Sequence, residues 1–132
     1  MMSYEEPHFF EFTNPWNGKT MTGYFTIHKY WYNGRTCLKI RAKEKLSEEF
    51  FEPYCDVSVN LPFADLESDN LIFIDVNNAP WLEEFMISNG FGMPTGRIRT
   101  SGFVNYPLYL CDMKKIQRYG KVEIPERRGD YL

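Results

Sequence analysis

Between residues 8 and 45 apolar and polar side chains alternate in runs that are broken by two Asn-Gly pairs, Asn17-Gly18 and Asn33-Gly34. Asn-Gly between alternating runs is the strongest short-range hairpin signal, because a two-residue type I′ turn needs positive φ at both central positions. The pattern predicts two linked hairpins. With Asn33-Gly34 as the turn, Trp31 falls opposite Thr36, Ile27 opposite Ile40 and Phe25 opposite Ala42, with Leu38 on the same side. With Asn17-Gly18 as the turn, Phe10 falls opposite Phe25 and Phe12 opposite Gly23. Both turns therefore assign the apolar residues to one face, the expected core face. The other face would carry Tyr24, Thr26, His28 and Tyr30 beside Cys37, Lys39, Arg41 and Lys43, an aromatic and basic mixture.

Beyond the hairpins, residues 44–51 read as a loop with a turn that Pro53 ends. Residues 54–61 alternate, with Val57, Val59 and Leu61 on one side, and predict a half-buried strand. Leu71-Ile72-Phe73-Ile74 is a continuous apolar run, short enough for a central strand covered on both faces. A helix is predicted at 80–89, with Asn78 as cap, Pro80 in the first turn, Glu83 and Glu84 beside the positive terminus and Gly90 as the stop. Its apolar stripe is Trp81, Leu82, Phe85 and Met86. Residues 90–102, rich in Gly, Thr and Arg, read as a long loop, and residues 103–111 as a strand in which Pro107 marks an edge, a bulge or an end. The expected architecture is α+β: an antiparallel β meander of about six strands with one main helix packed on one face. Residues 1–112 would form the single domain. Residues 113–132 would be a basic C-terminal tail, partly disordered or else a strand that finds an edge.

A chain of 132 residues, 43% hydrophobic and 17% aromatic, has the composition of one globular domain. No apolar run approaches the ~20 residues that span a bilayer. The acidic start lacks a basic region followed by an apolar stretch, so a cytoplasmic protein is expected. Cys37, Cys55 and Cys111 are odd in number and widely spaced, which argues against a disulfide framework and a zinc knuckle, and His8 and His28 are too few for a histidine-rich metal site. Neither a metal nor another cofactor is expected. The net charge of −3 conceals segregation: residues 46–92 hold ten acids and no Lys or Arg, whereas residues 23–45 hold six bases and one acid. Such a block either solvates loops and a helix face or forms a negative surface that attracts a basic partner.

Two candidate sites follow. The first is a partner-binding surface of Asp75, Glu83 and Glu84 with Trp81 and Phe91 as aromatic anchors. The second is an anion- or nucleotide-binding site in the 90–102 loop, where Arg97 and Arg99 could fork to phosphate and Thr100 and Ser101 offer hydroxyls, joined by Lys39 and Arg41 on the basic sheet face. The spacing matches neither a phosphate-binding Walker loop nor a dinucleotide fingerprint. A nucleophile pair of Cys37 and His28 would be diagonal neighbours with no third orienting group, and Asp75, Glu83 and Glu84 lack the spacing or second base of an acid-base or cation site. An enzyme is not expected.

Val59-Asn60-Leu61-Pro62, Phe73-Ile74-Asp75-Val76-Asn77-Asn78 leading into Trp81-Leu82-Glu83-Glu84-Phe85, Asn89-Gly90, Pro94-Thr95-Gly96 and Ser101-Gly102-Phe103-Val104-Asn105-Tyr106-Pro107-Leu108 occur in that order. Over about residues 54–111 this set resembles a small domain family of unknown function carried on bacterial mobile elements and phages. The resemblance implies a context and no activity: small accessory proteins of such elements often act by binding, many of them against host defence. The expected function is a non-enzymatic binding protein, an inhibitor of a host defence nuclease or complex acting through its acidic surface on a basic partner. The alternative is a nucleic-acid or nucleotide binder using Arg97, Arg99, Lys39 and Arg41. The sequence leaves the oligomeric state open.

Overall fold

The computed structural model describes residues 6–123. Strands β1 (Phe10–Thr13), β2 (Thr20–Lys29), β3 (Thr36–Glu44) and β4 (Glu52–Asp56) form an antiparallel meander in that spatial order. A second sheet has the order β5-β7-β6, built from β5 (Leu71–Phe73), β6 (Gly92–Ser101) and β7 (Val104–Cys111). Helices α1 (Leu82–Ser88) and α2 (Met113–Arg118) are short, and β8 (Gly120–Val122) returns to pair in parallel with β2. The expected single meander with one main helix is therefore corrected to a mostly β fold of two sheets with two short helices. The difference arises because β1–β4 pair among themselves and β5–β7 among themselves, with β8 and the Ser58–Ile74 bridge linking the two sets.

Both Asn-Gly hairpins form, with a register two residues away from the expected one. Ile27 pairs with Leu38 and Phe25 with Ile40, while Phe10 pairs with Gly23. The connections are four-residue loops: Gly18 N–H donates to Asn14 O and Gly34 N–H to Tyr30 O, closing α-turns. Within these two loops only Gly18 (φ 74°) and Gly34 (φ 70°) take positive φ, and neither Asn does. Each Asn instead turns its side chain on the backbone, Asn17 Oδ1 accepting from Lys19 N–H at 2.9 Å and Asn33 Oδ1 from Arg35 N–H at 3.1 Å. A shift of two preserves strand parity, so Phe10, Phe25, Ile27, Leu38, Ile40 and Ala42 still share the core face. Trp31 is the exception: the longer loop lifts it out of the ladder and leaves it 74% exposed.

The expected 90–102 loop is corrected to strand β6. Its Gly and Pro mark a bulge and an edge, because the pairing with β7 shifts between Pro94 and Ile98 where Gly96 takes φ 87°. Pro107 lies across from Ile98 at that irregularity, inside the central strand β7. Gly102 and Phe103 form the two-residue turn from β6 to β7. The helix is shorter than 80–89, and Asn78 does not cap it: Trp81 stands at the cap, and the Asn78 side chain donates to Asp75 Oδ2 at 2.9 Å in the preceding turn. Gly90, at φ 69°, ends the helix as expected. The half-buried strand begins and ends earlier than expected. The stretch after β4 tucks under the second sheet, where Ser58 bridges Ile74 and Val57 is fully buried.

The main core lies between the first sheet, α1 and one face of the second sheet. Phe25 is its centre, 5.0 Å from the Phe10 ring and 4.9 Å from Phe91, with Phe85 edge-on to Phe10 at 5.0 Å. Leu82, Phe85 and Met86 deliver the helix stripe to it, as the periodicity predicts. A smaller cluster of Leu61, Ala64, Phe73 and Leu108 covers the opposite face of the second sheet. Ile72 belongs to the first cluster and Phe73 to the second, which accounts for the continuous apolar run, although β5 lies at a sheet edge and is not central.

Residues 113–123 continue into the fold, with 120–122 forming a strand that finds an edge, one of the two expectations for this segment. Asp112 caps α2 by accepting from Lys115 N–H, Ile116 is fully buried in the main core, and β8 takes the edge of β2 that β1 leaves free. Residues 124–132 of the expected tail lie outside the described residues. Packing of β8 requires glycine at position 120, where a Cβ would stand 2.8 Å from Phe25 O and 3.0 Å from Ile116 O, both backbone atoms that cannot swing away. Gly120→Ala should therefore lower stability by about 1–3 kcal/mol; an unchanged urea midpoint would contradict this account of how the C-terminal segment docks.

Candidate functional site

Of the expected partner-binding residues, Phe91 and Asp75 are buried, while Trp81, Glu83 and Glu84 keep some exposure at α1. Phe91 is 1% exposed and sits against Phe25 in the core, because Gly90 turns the chain inward straight after the helix. Asp75 is 6% exposed, and its carboxylate takes the side-chain N–H of Asn78. Trp81 is half-buried and stacks on Phe12, rings 5.3 Å apart and 7° from parallel. Glu83 accepts the hydroxyl of Tyr109 at 2.6 Å, and Glu84 alone of the five is fully exposed. Phe91, expected as an aromatic anchor, packs in the core, and Asp75, expected as a partner-binding carboxylate, is buried in the turn before α1.

The anion-binding residues are also engaged within the fold. Arg97 forks onto Glu67 at 3.0 and 3.3 Å, which holds the Glu67 carboxyl below its ordinary range. Arg99 lies over the Phe63 ring, and Thr100 Oγ1 donates to Asn105 Oδ1 at 2.5 Å across the hairpin. Ser101 closes that hairpin opposite Val104. On the other sheet, Lys39 lies 3.7 Å from Asp56, and Arg41 donates to Phe51 O at 2.9 Å. No hydrogen bond or ion pair among the described residues joins Lys39 or Arg41 to the Arg97 hairpin. His28 stands directly opposite Cys37, closer than the expected diagonal, but its Nε2 is bound to Thr26 Oγ1 at 2.9 Å and Cys37 is buried.

Folding also cancels much of the charge segregation. Asp56, Glu67 and Asp69 of the acidic block pair with Lys39, Arg97 and Lys29. Glu48, Glu49, Glu52, Asp65 and Glu84 remain exposed on separate segments.

The largest hollow described is apolar and went unnoticed in the sequence. It is a groove of about 710 Å³ at the end of the second sheet, where Met93 and Leu110 face each other across β6 and β7, between Ile87 of α1 and Met113 of α2. Met93 is 60% exposed, Ile87 51% and Leu110 47%. The groove exists because the residue 61–66 loop covers Leu108 and Phe73 but stops short of Leu110 on the same face. The signal available in the sequence was the run Tyr106 to Cys111, apolar at odd and even positions alike, which demands cover on two faces. Its rim carries Lys114, and Arg118 follows one helical turn later on the same side of α2. Asp112, the rim carboxylate, is occupied in capping α2. Counted with Lys114 and Arg118, that carboxylate leaves one net positive charge along this side of α2.

Beneath the groove, burial pushes the Cys111 thiol from 9.0 up to about 12. Burial first, and the Glu83 carboxylate second, hold the Tyr109 phenol well above its ordinary value. The pocket walls can bury apolar side chains and present cations, and they offer no nucleophile-base pair.

Such a mostly β fold of two sheets defines a small domain with two short helices and an apolar groove. The chain matches the family described as Domain of unknown function (DUF4313) over residues 25–128, and it belongs to that family. No curated protein and no solved structure matches it. No helix among the described residues is long and apolar enough to cross a membrane.

Two outcomes check this assignment of residues. Phe91→Ala should cost about 3–5 kcal/mol in urea unfolding, as a core aromatic does, whereas an interface anchor would leave stability unchanged. Cys111 and Tyr109 hold their protons more tightly folded than unfolded, so the unfolded chain ionises first. Their contribution is complete below about pH 9 and is lost as pH rises toward 12. Cys111→Ala should flatten the decline of stability across that window; a slope identical to that of the unchanged chain would count against burial as the cause.

Proposed function

We propose that this protein is a non-enzymatic binding protein whose groove takes an apolar segment of another polypeptide flanked by acidic residues. The observation that carries the reading is the 710 Å³ groove of Ile87, Met93, Leu110 and Met113, with Lys114 at its rim. Unbranched methionine side chains adapt to varied apolar partners, and an exposed apolar depression on an otherwise polar surface marks a site of association. Charge selects among occupants: Lys114 and Arg118 favour a carboxylate-bearing segment and disfavour a basic one.

The proposed setting is a mobile element or phage, with a host defence complex as the target. This setting rests on the motif resemblance of residues 54–111 alone. An acidic surface acting on a basic partner has less support, because the carboxylates of residues 46–92 are shared among internal pairs and separate segments. The nucleotide reading has less still, since Arg97 and Arg41 already donate to protein oxygens.

A peptide-display selection on the full chain tests the proposal. Enriched peptides should combine apolar residues with Asp or Glu, bind more weakly as salt rises, and lose about tenfold or more in affinity to Leu110→Lys. Leu110 is half exposed, so the variant should keep its fold, and circular dichroism monitors this. Peptides that bind Leu110→Lys as well as the unchanged chain, or that carry bases in place of acids, would overturn the assignment. So would a homodimer abolished by the same variant, which would make the groove a self-association surface.

A further inference from the structure

On the side of the first sheet away from the core runs a second, polar groove that shares no residue with the apolar one. Two hollows of about 380 and 450 Å³ meet at His28, Lys39 and Asp56. The floor is made of buried hydroxyl-bearing side chains: Thr26 is 3% exposed, Ser58 is 4% exposed, and the Tyr30 hydroxyl lies 2.8 Å from Ser58 Oγ. At one end stands Trp31, 74% exposed. Its loop is pinned, since Asn33 Nδ2 donates to Asn60 Oδ1 at 3.0 Å, and Arg35 donates to Leu61 O and Ala64 O. An indole open to solvent on a pinned loop offers a ligand a flat apolar face.

The lining selects the ligand. Lys29 and Lys39 are balanced by Asp56 and Asp75, so the groove carries no formal excess of either sign if His28 is neutral. A phosphate would meet two carboxylates, and a hydrocarbon would strip water from the half-exposed charges of Lys39 and Asp56. Lys39 Nζ and Asp56 Oδ1, 3.7 Å apart, are beyond hydrogen-bond reach of each other and leave a donor and an acceptor side by side. A hydroxyl group, which donates and accepts at once, fits between them. Vicinal hydroxyls on one edge of a ring and C–H bonds on its face are the chemistry of a pyranose. We propose that this groove binds a neutral carbohydrate, its C–H face stacked on Trp31 and its hydroxyls held by Lys39, Asp56 and Asn60.

The test is an amide and indole N–H chemical-shift titration of the full chain with methyl glucosides, methyl galactosides, N-acetylglucosamine, maltose and cellobiose, each to about 50 mM, against adenosine monophosphate and inorganic phosphate. At least one saccharide should give saturable shifts at the Trp31 indole and at residues 56–60, with millimolar affinity and no change at the Trp16 indole. Trp31→Ala and Asp56→Asn, both at exposed positions, should each weaken binding about tenfold while leaving the melting temperature within about 3 °C. The proposal fails if no saccharide saturates, if Trp31→Ala binds as before, or if the nucleotide or phosphate moves these signals at lower concentration than every sugar.

Discussion

Burial of one aromatic cluster, Phe10, Phe25, Phe85 and Phe91, is the constraint on which the arrangement of the elements depends. Each ring comes from a different part of the chain: β1, β2, α1 and the residue before β6. Tilted and edge-to-face contacts of about 5 Å between them fix the first sheet against the helix and the start of the second hairpin. With those rings in place, the polypeptide between Gly90 and β6 must turn inward, and the second sheet must present one face to the core. The other face is then left for the 61–66 loop, which is too short to cover all of it. The apolar groove is what remains.

The same geometry distributes charge. Acidic loops of residues 46–92 fold against basic hairpins that lie elsewhere in the sequence, so exposed pairs such as Lys29 with Asp69 and Arg97 with Glu67 form between distant segments. Each exposed pair contributes little to stability. Their effect is on the surface: three carboxylates of the long negative block are paired with bases from other segments, and Lys114 of α2 stands beside the apolar groove.

Much of the local structure was legible. Alternation named the core face of the first three strands, the helix stripe of Leu82, Phe85 and Met86 was read in full, and Gly90 was recognised as its stop. The candidate site was not legible to the same degree. Asp75, Trp81, Glu83 and Phe91 looked available because carboxylates and aromatics near a helix start carry no mark of exposure, and only packing showed that Phe12, Tyr109 and Phe25 claim three of them. Arg97 and Arg99 looked free because Gly and Pro around them signal a loop as readily as a bulged edge strand.

By itself the sequence determined which face of each strand turns inward, because a side-chain period of two survives any even change of register, and it determined where the chain reverses, because positive φ needs glycine. Tertiary structure alone decided how many residues each reversal uses, which strands become neighbours, that residues 113–123 join the fold and that Leu110 stays uncovered. Those outcomes depend on contacts between segments tens of residues apart, where the relevant energy belongs to pairs of surfaces and to no single stretch of chain.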